Sequence, residues 1–476
     1  MKRSGCVSRF LTALGMCCAL ALPICAAHPR DSRATSSDKG AKCTEVLVAQ
    51  ETPTVDPLTT QPAEPAQNPP VTEAKSETDR YTLSHERYEK AVAYSRAGYV
   101  LYFIWIGLGL AVAWLFLRLR IAAKIRDFAE RSTEYRPLQV LIFIPILVFG
   151  VEVCELPALL YGHSLSLRYE QSVQRWGSWL LDWTKEVSLF IGAALLFGSI
   201  LLWLIRRSPR RWWALFWLCA FPIVVFVVFI SPWIIDPIFN KYEPLDKTNP
   251  ELVSAIEKVT QRAGLSIPRD HMFLMRASAK TNQINAYVTG FGASKRVVVW
   301  DNTIRKTTQA ETLFIFGHEA GHYVLGHVRK GILFFAIAFF VAMYVCYRGT
   351  QFALEKWAAT WKIYGPQDLA CLAVLLLMFK ILSFIGTPIG SAFSRSEEHN
   401  ADVFGLEVIH GIVPNSGEVA AHAFQVLGQE DLSDPNPPPF ITFWLYGHPP
   451  LAERLVFAHS YDPWSKRQEP RYIKQE

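Results

Sequence analysis

The stretch that decides the fold is FGHEAGHYVLGHVRKGILFFAIAFFVAMYV, from Phe316 to Val345. Its first part carries three histidines and a glutamate, and the part from Gly331 onward is an apolar run. At about 100° per residue, His318 and His322 share one face of a helix, so both imidazoles can reach one metal ion. The apolar run has the character of a membrane span. The sequence therefore predicts metal chemistry placed directly against a membrane.

Composition is typical of a polytopic membrane protein. Of the 476 residues, 51% are hydrophobic, and these residues are concentrated in long blocks. The net charge of +6 comes with basic residues beside the apolar blocks, which fits membrane orientation, and no basic, aromatic-interleaved surface predicts nucleic-acid binding. Nine cysteines form no CxxC pair, which argues against a disulfide framework and a cysteine-based metal site.

Four apolar blocks precede a polar stretch and two follow it, which gives about six spans. The blocks are Tyr99–Leu117, Leu138–Tyr161, Val187–Ile205, Trp212–Ile235, Ile332–Tyr347 and Leu369–Ile385. Within the polar stretch, Asn249–Leu265 has helical apolar spacing, and Ile284–Asn302 has two β-branched runs around a glycine-containing turn, which predicts a hairpin. The expected fold is mainly α: a polytopic membrane helical bundle with an inserted α/β zinc metalloprotease domain, split around the last two spans.

Two N-terminal segments lie outside this bundle. Residues 1–27 have a basic start, an apolar stretch and small residues at the end, which is typical of a signal peptide; an uncleaved anchor is the alternative. Residues 28–80 are rich in Pro, Thr, Ser, Glu and Ala and predict a disordered tether. The remaining parts are expected to be a four-span membrane domain (81–235), a metalloprotease insert with the zinc helix (236–330), two further spans (331–390) and the C-terminal part of the protease domain (391–476).

The residues around the paired histidines indicate the chemistry. Glu319 projects beside a metal held by the two imidazoles, where a carboxylate can take a proton from the attacking water and return it to the leaving amine. Ala320 and Gly321 leave room for close packing or for substrate. His327 lies five residues past His322, about 140° around an uninterrupted helix, so it is expected to point elsewhere. A role for His327 as a third metal ligand is the alternative.

A third protein ligand is expected from further along the chain. The best candidate lies in SRSEEHNAD, where Glu398 and Asp402 are four residues apart on one helix face. Glu398 could complete a His₂Glu set, and Asp402 could orient a ligating histidine through its second ring nitrogen. Glu397 points about 100° away and is the weaker candidate. A solvated acidic helix face is the alternative.

HEAGH followed by SRSEEHNAD resembles the H-E-x-x-H … S-R-x-x-E-x-x-A-D pattern of the type I CAAX prenyl proteases and their HtpX-like relatives. These are integral-membrane gluzincin metalloproteases. YEKAVAYSRAGY, LPALLY, NAYVTGFGASKRVVVWD and HPPLAERL are similar to further landmarks of that family, so the resemblance covers about residues 81–460. It implies one Zn²⁺ per chain, bound by His318, His322 and Glu398, with Glu319 as the catalytic base.

The resemblance also implies roles that spacing alone leaves open. The strand at Asn285 and Ala286 would bind the substrate backbone by β-augmentation. His448 would stabilise the tetrahedral oxyanion, with Arg454 and Asp402 supporting the site. From the residues alone, His448 is better explained as a turn residue before two prolines, and Asn285 as a residue at the start of a strand.

The resemblance is incomplete in the membrane half. The spans of the family enclose a large hydrophilic chamber, and Glu152 and Glu155 in the second span are suited to line it. Eukaryotic members have seven spans and a cytosolic zinc domain, whereas this chain offers about six spans after a signal-like segment. Such a segment indicates a bacterial chain, for which prenylated substrates are not expected.

Orientation and function follow from these features. The connections RLRIAAKIRDFAERSTEYRP and RRSPRR are strongly basic and are expected on the cytoplasmic side of a bacterial inner membrane, which places His318 outside. The expected activity is zinc-dependent endoproteolysis of membrane-associated or tethered peptides or proteins, in processing or quality control. Besides such substrates, the lipid bilayer is the expected partner. An inactive scaffold or transporter-like protein is the alternative, against which the intact Glu319 argues; a purely structural zinc would favour cysteine ligands.

Overall fold

A computed structural model describes residues 81–290 and 294–474 of the chain. The predicted signal peptide and tether lie outside the described residues. Within those residues, six helices are long and apolar enough to cross a membrane, which confirms the expected membrane bundle. They are α1 (His85–Arg118), α3 (Arg136–Arg168), α4 (Trp176–Arg207), α5 (Trp212–Ile234), α11 (His327–Trp361) and α12 (Cys371–Ile409), with the short helix α2 (Ile121–Ser132) between the first two.

The last helix differs from expectation. The sequence predicts a span that ends near Ile385 and a separate polar helix after it, but α12 continues from Cys371 to Ile409 without a break. The segment between these two parts, GTPIG, contains Pro388, which remains inside the helix. Packed neighbouring helices can compensate for the one backbone hydrogen bond that a proline removes. One helix therefore carries both the sixth span and the predicted third ligand.

One end of the bundle is basic. There, Arg126 of α2 forms a buried ion pair with Asp368 in the connection between α11 and α12. Arg136 at the start of α3 donates to the carbonyl of Gln367 in the same connection, at 3.0 Å. The two connections that lie between α1 and α3 and between α11 and α12 therefore share this end.

The predicted protease domain lies at the opposite end of the bundle. The connection between α3 and α4 forms an isolated β-bridge to it, between Ser172 and Thr281. Lys280 reaches from the protease domain to Asp182 of α4, with Nζ 2.8 Å from the carboxylate oxygen. These contacts fix the predicted zinc helix at the end of the bundle remote from the basic connections.

The protease domain combines a small sheet with helices. Its strands are β1 (Tyr242–Pro244), β2 (Met272–Met275), β3 (Ala286–Thr289) and β4 (Arg296–Trp300), in the order β1-β2-β4-β3. Its helices are α6 (Asp236–Phe239), α7 (Leu245–Thr248), α8 (Pro250–Arg262), α9 (Asp301–Lys306), α10 (Gln309–Val324), α13 (Ser416–Glu430), α14 (Pro439–Leu445) and α15 (Leu451–Ser460). Strands β3 and β4 pair antiparallel, as the predicted hairpin requires, while β2 and β4 pair parallel.

The core of this domain orients the zinc helix. The apolar face of α8, with Leu252, Val253, Ile256 and Val259, is buried against the sheet and α10. At the start of α10, Thr308 and Glu311 form a capping box, in which each side chain accepts a hydrogen bond from the backbone N–H of the other residue. The start of α10 is thereby fixed, nine residues before His318.

Candidate metal centre

Helices α10 and α12 approach unusually closely at the candidate site. A Cβ atom at Gly405 of α12 would lie 2.8 Å from the backbone nitrogen of His318. A Cβ atom at Gly321 of α10 would lie 3.1 Å from Cβ of Phe404. Because both positions are glycine, the two backbones come close enough for ligands from each helix to meet. The small residue at 321 thus serves close packing rather than an open space.

The two histidines and Glu398 converge as the sequence predicts. Nε2 of His318 lies 3.1 Å from Nε2 of His322 and 3.2 Å from Oε2 of Glu398. Nε2 of His322 lies 3.6 Å from Oε1 of Glu398, and the three residues offer ligand atoms within 4.8 Å of one another. Two ligand atoms bound tetrahedrally at zinc–ligand distances of about 2.0–2.1 Å are themselves roughly 3.3 Å apart. The spacing therefore fits a zinc ion.

The chemistry of these groups also fits a cation. Glu398 is buried, and within the described part of the chain neither of its carboxylate oxygens accepts a well-aligned hydrogen bond. Buried polar atoms normally have a partner, and a bound metal ion would provide one. Burial disfavours a charged His318, but the carboxylates of Asp402 and Glu398 outweigh this and raise its pKa to about 10. The pocket thus favours positive charge where the ligands converge.

Asp402 lies where it can orient His318. Its Oδ1 is 2.8 Å from Nδ1 of His318, the ring nitrogen that faces away from the other ligands. Arg454 of α15 donates two hydrogen bonds to the same carboxylate, from Nε at 2.8 Å and from Nη2 at 2.5 Å. The guanidinium also lies over the ring of Phe424, 4.3 Å from its centre. Asp402 and Arg454 thus form a buried support behind the first histidine.

His327 is not among the converging ligand atoms, but the expectation that it points elsewhere is wrong. Its Nδ1 lies 2.9 Å from Nδ1 of His322. The helical projection fails because α10 ends at Val324 and the chain turns through Gly326, whose φ is +70°, before α11 begins. A glycine at this position is itself a signal for a helix end.

Glu319 and His448 flank the ligands. Glu319 lies between His318 and His322 in sequence and is half-buried. Burial raises the pKa of its carboxyl, and the nearby His318 and His322 reduce this shift. His448 lies in the turn between α14 and α15, with Nε2 3.1 Å from Oε2 of Glu398. The structure therefore brings the predicted base and the predicted oxyanion-stabilising residue to the same pocket.

Sequence reasoning assigned no role to Arg395, which holds the turn that carries His448. Its Nη1 donates to the carbonyls of Thr442 and Tyr446, at 3.0 and 2.6 Å. The hydroxyl of Tyr446 in turn lies 2.8 Å from that of Tyr99 in α1. The sequence does place Arg395 nearly one helical turn before Glu398, and therefore close to the face of α12 that carries Glu398. It does not identify the partners of Arg395, because they are distant in sequence.

Asn285 and Ala286, the predicted substrate-binding residues, lie at the start of β3, which is the edge strand of the described sheet. The backbone N–H of Asn285 donates to Thr303 Oγ1 at 2.7 Å, and its carbonyl accepts from Thr303 Oγ1 and from the N–H of Trp300. Because hydrogen-bonding direction alternates along an antiparallel strand, the N–H and C=O of Ala286 face the other side of β3. No strand in the described ranges pairs there. Ala286, rather than Asn285, turns its backbone groups to the side of β3 that no described strand pairs, although the residue itself is buried.

The spans enclose a cavity of about 320 Å³ at membrane depth. Glu152 and Glu155 both line it, as expected, although most other lining side chains are apolar. Glu155 pairs with Lys380 of α12 at 2.6 Å. A Cβ atom at Gly109 would lie 2.9 Å from Nζ of Lys380, so the glycine leaves space for this ion pair.

The fold and the site together define a membrane-embedded metalloprotease. Residues 246–461 match the model of peptidase family M48, and residues 71–241 match the N-terminal region of CAAX prenyl proteases, described as five membrane helices. The chain is 36% identical to the uncharacterized metalloprotease YhfN of Bacillus subtilis over 374 residues, which cover 78% of this chain and 85% of YhfN. The chain belongs to peptidase family M48.

More distant relatives have the same organisation. The CAAX prenyl protease 1 homolog of Caenorhabditis elegans is 24% identical over 392 residues, which cover 74% of this chain and 84% of that protein. The crystal structure of S. mikatae Ste24p superimposes with a TM-score of 0.66 at 23% identity, covering 79% of this chain and 89% of that one. The fold is therefore shared with Ste24p. Because the chain belongs to a family of metallopeptidases, an inactive scaffold or transporter-like protein is not favoured.

Proposed function

We propose that this chain is a zinc-dependent endopeptidase that binds one Zn²⁺ through His318, His322 and Glu398 and uses Glu319 as its general base. The observation that carries the proposal is the convergence of three ligand side chains from two helices, α10 and α12, although two membrane spans lie between His322 and Glu398 along the chain. A His₂Glu set leaves a position for water and substrate, unlike the closed ligand sets of structural zinc.

Each residue has a distinct part in hydrolysis. Zinc, when bound, would supply a Lewis acid that polarises the scissile carbonyl and lowers the pKa of water, so that water can be deprotonated for attack at neutral pH. Glu319 takes the proton of the attacking water and delivers it to the leaving amine. His448, beside Glu398, is placed to donate a hydrogen bond to the developing oxyanion. Asp402 holds the ring of His318 in a fixed orientation and is itself held by Arg454.

The substrate is a peptide or protein bound in extended form. The side of β3 that no described strand pairs carries the backbone N–H and C=O of the buried Ala286. A substrate strand would extend the sheet on this side after displacing the groups that cover Ala286, and Asn285, its neighbour in sequence, would contact the same strand. Strand β3 packs against α10, so a peptide added at this edge runs past the zinc helix. A site at one end of the membrane bundle is accessible to membrane-associated or tethered polypeptides, which suits a role in processing or quality control.

The charge distribution supports an extracytoplasmic site in a bacterial inner membrane. The basic connections lie at the end of the bundle opposite the protease domain, and basic loops favour the cytoplasm. In this arrangement, residues 1–27 act as a signal peptide and residues 28–80 as a tether. The membrane domain spans 81–235, and the protease domain consists of 236–330 and 391–476 around the spans of 331–390. Reporter fusions near residue 125 and residue 260 test the orientation, and a cytoplasmic signal from the second contradicts it.

The catalytic assignment is tested with purified full-length protein in detergent. Metal analysis is paired with peptide cleavage by the natural chain and by Glu319→Gln. The expected result is one zinc per chain in both proteins, with cleavage by Glu319→Gln reduced by about 10²- to 10⁴-fold, the usual contribution of a general base. Equal cleavage by the two proteins would remove Glu319 from its role, and a zinc-free active protein would remove the metal from the mechanism.

A further inference from the structure

We infer that His327 is a positioning residue for the zinc ligand His322 and that Glu397 fixes His327 in the protonation form this requires. The inference rests on the proposed zinc site and adds two residues that do not touch the metal. Together, His322, His327 and Glu397 form a relay.

The relay is a chain of short contacts in a mostly buried position. Nδ1 of His322 lies 2.9 Å from Nδ1 of His327, and the two rings are 5.0 Å apart at 75° to each other. Nε2 of His327 lies 2.9 Å from Oε2 of Glu397, within ion-pairing distance although not aligned as a linear hydrogen bond. His327 is only 6% exposed. At the outer end, Lys330 reaches the same oxygen of Glu397 at 3.1 Å.

Only one arrangement of protons suits all these contacts when a metal is bound. A ligating Nε2 of His322 carries no proton, so Nδ1 of that ring carries it and donates. Nδ1 of His327 must then accept, which places the proton of the His327 ring on Nε2. That nitrogen lies 2.9 Å from a carboxylate oxygen of Glu397, whose negative charge favours the proton at this position. Each group thereby fixes the tautomer of the one before it.

The two zinc-binding histidines are supported in different ways. His318 donates directly to a carboxylate, that of Asp402, whereas His322 reaches a carboxylate only through a second imidazole. In metal sites, the outer ring nitrogen of a ligating histidine typically has a carboxylate, carbonyl or water partner, and that partner sets the ring orientation and basicity. His327 occupies the corresponding place for His322.

The local backbone is built to bring His327 to this place. Gly326 adopts φ +70° between α10 and α11, a conformation that costs a non-glycine residue energy. The turn lets the first residue of α11 lie beside the last turn of α10. Without it, a continuous helix would carry the ring of His327 about 140° away from that of His322.

The test measures zinc affinity rather than activity. Purified full-length protein in detergent is titrated against a chromogenic zinc chelator for the natural chain, His327→Ala, His327→Gln and Glu397→Ala. Loss of such a partner typically weakens metal binding by about 10- to 100-fold, which is the expectation for His327→Ala. His327→Gln is expected to recover part of this loss, because its amide oxygen can accept from Nδ1 of His322. Glu397→Ala is expected to weaken binding by less.

His399→Ala is the matched control. His399 is an exposed histidine next to Glu398 in sequence, and its ring contacts Phe457 at 5.0 Å. Zinc binding by His399→Ala is expected to equal that of the natural chain.

The outcomes separate this inference from the proposed function. If His327→Ala binds zinc as tightly as the natural chain, the relay is wrong. If His327→Ala does not fold, Glu397→Ala decides: zinc binding equal to that of the natural chain contradicts the relay, and weaker zinc binding supports it. By contrast, if the natural chain binds no zinc, or if His322→Ala binds zinc as tightly as the natural chain, the zinc site itself is wrong.

Discussion

The buried carboxylate of Glu407 accepts the backbone N–H of Tyr472, with Oε2 2.7 Å from the nitrogen. The same carboxylate also accepts the backbone N–H groups of Arg471 and Ile473, at 2.6 and 2.9 Å, and the hydroxyl of Tyr461. A segment beyond the part of the chain that matches family M48 is thus bound to α12, the helix that carries Glu398 and Asp402.

Removal of residues 471–476 is expected to destabilise the protease domain. Glu407 is fully buried, so the truncated chain would leave a charged group without its three amide donors. We expect a loss on the order of 3 kcal/mol, the cost of an unsatisfied buried polar group, with charge at the upper end. The measurement is the thermal midpoint of the detergent-solubilised protein. A chain that lacks only residues 475–476 is the control, and equal midpoints for the two truncations would contradict the prediction.

Gly405→Ala is expected to weaken both zinc binding and stability. The added methyl group would lie 2.8 Å from the backbone nitrogen of His318, so α10 and α12 must move apart. Overpacking of this kind typically costs about 1–3 kcal/mol. Thermal unfolding and zinc titration measure the two effects. Gly192→Ala in α4 is the control, because a Cβ atom there meets nothing within 4 Å; a similar loss in both variants would mean that the helix contact is not responsible.

Arg454→Lys is expected to weaken zinc binding, although it keeps the positive charge. Arg454 donates two hydrogen bonds to Asp402 with a planar guanidinium, a geometry that an ammonium group cannot reproduce. With Asp402 less firmly held, His318 should bind zinc about 10-fold more weakly, at the lower end of such effects. Chelator competition provides the measurement. If Arg454→Lys binds zinc as tightly as the natural chain, a positive charge at this position is sufficient to hold Asp402.

Ala286→Pro is expected to impair substrate binding at a smaller cost in stability than a proline one residue later. The N–H of Ala286 faces the side of β3 that no described strand pairs, so a proline removes no hydrogen bond of the sheet, although its ring must fit a buried position. Tyr287→Pro removes a donor that faces β4 and should unfold the hairpin, which makes it the contrasting variant. We expect a higher KM for Ala286→Pro, with a thermal midpoint that falls less than that of Tyr287→Pro. An unchanged KM would argue against binding of substrate at this edge.

The parts of the molecule that sequence predicts well are those set by local periodicity. The spans follow from long apolar runs, and their helical form follows from the need to satisfy every backbone group in lipid. The pairing of His318 with His322 and of Glu398 with Asp402 follows from the helical repeat. Periodicity alone does not predict that these two pairs converge. That expectation comes from the need for a third zinc ligand, for which Glu398 is the best candidate, and from the resemblance of the combined motifs.

The parts that sequence misses depend on where elements end and on distant partners. His327 was projected along a helix that in fact ends at Val324. Arg395 acts on carbonyls of a turn about fifty residues later, and Glu407 on the amides of the last described segment. Glycine at 326 indicated the helix end, but nothing in the local sequence of Arg395 or Glu407 identifies their partners, because backbone groups are present in every residue.

Helix α12 begins beside Asp368, at the basic end of the bundle, and continues for 39 residues, past the candidate metal centre, to Ile409. At about 1.5 Å per residue it is a rod of roughly 58 Å, considerably longer than the hydrocarbon core of a bilayer is thick. Glu398 and Arg395, which holds the turn of His448, are both fixed to this rod. Because Gly405 on the same rod packs against the backbone of His318, the depth at which α12 sits in the bilayer sets the height of the whole candidate metal centre relative to the membrane core.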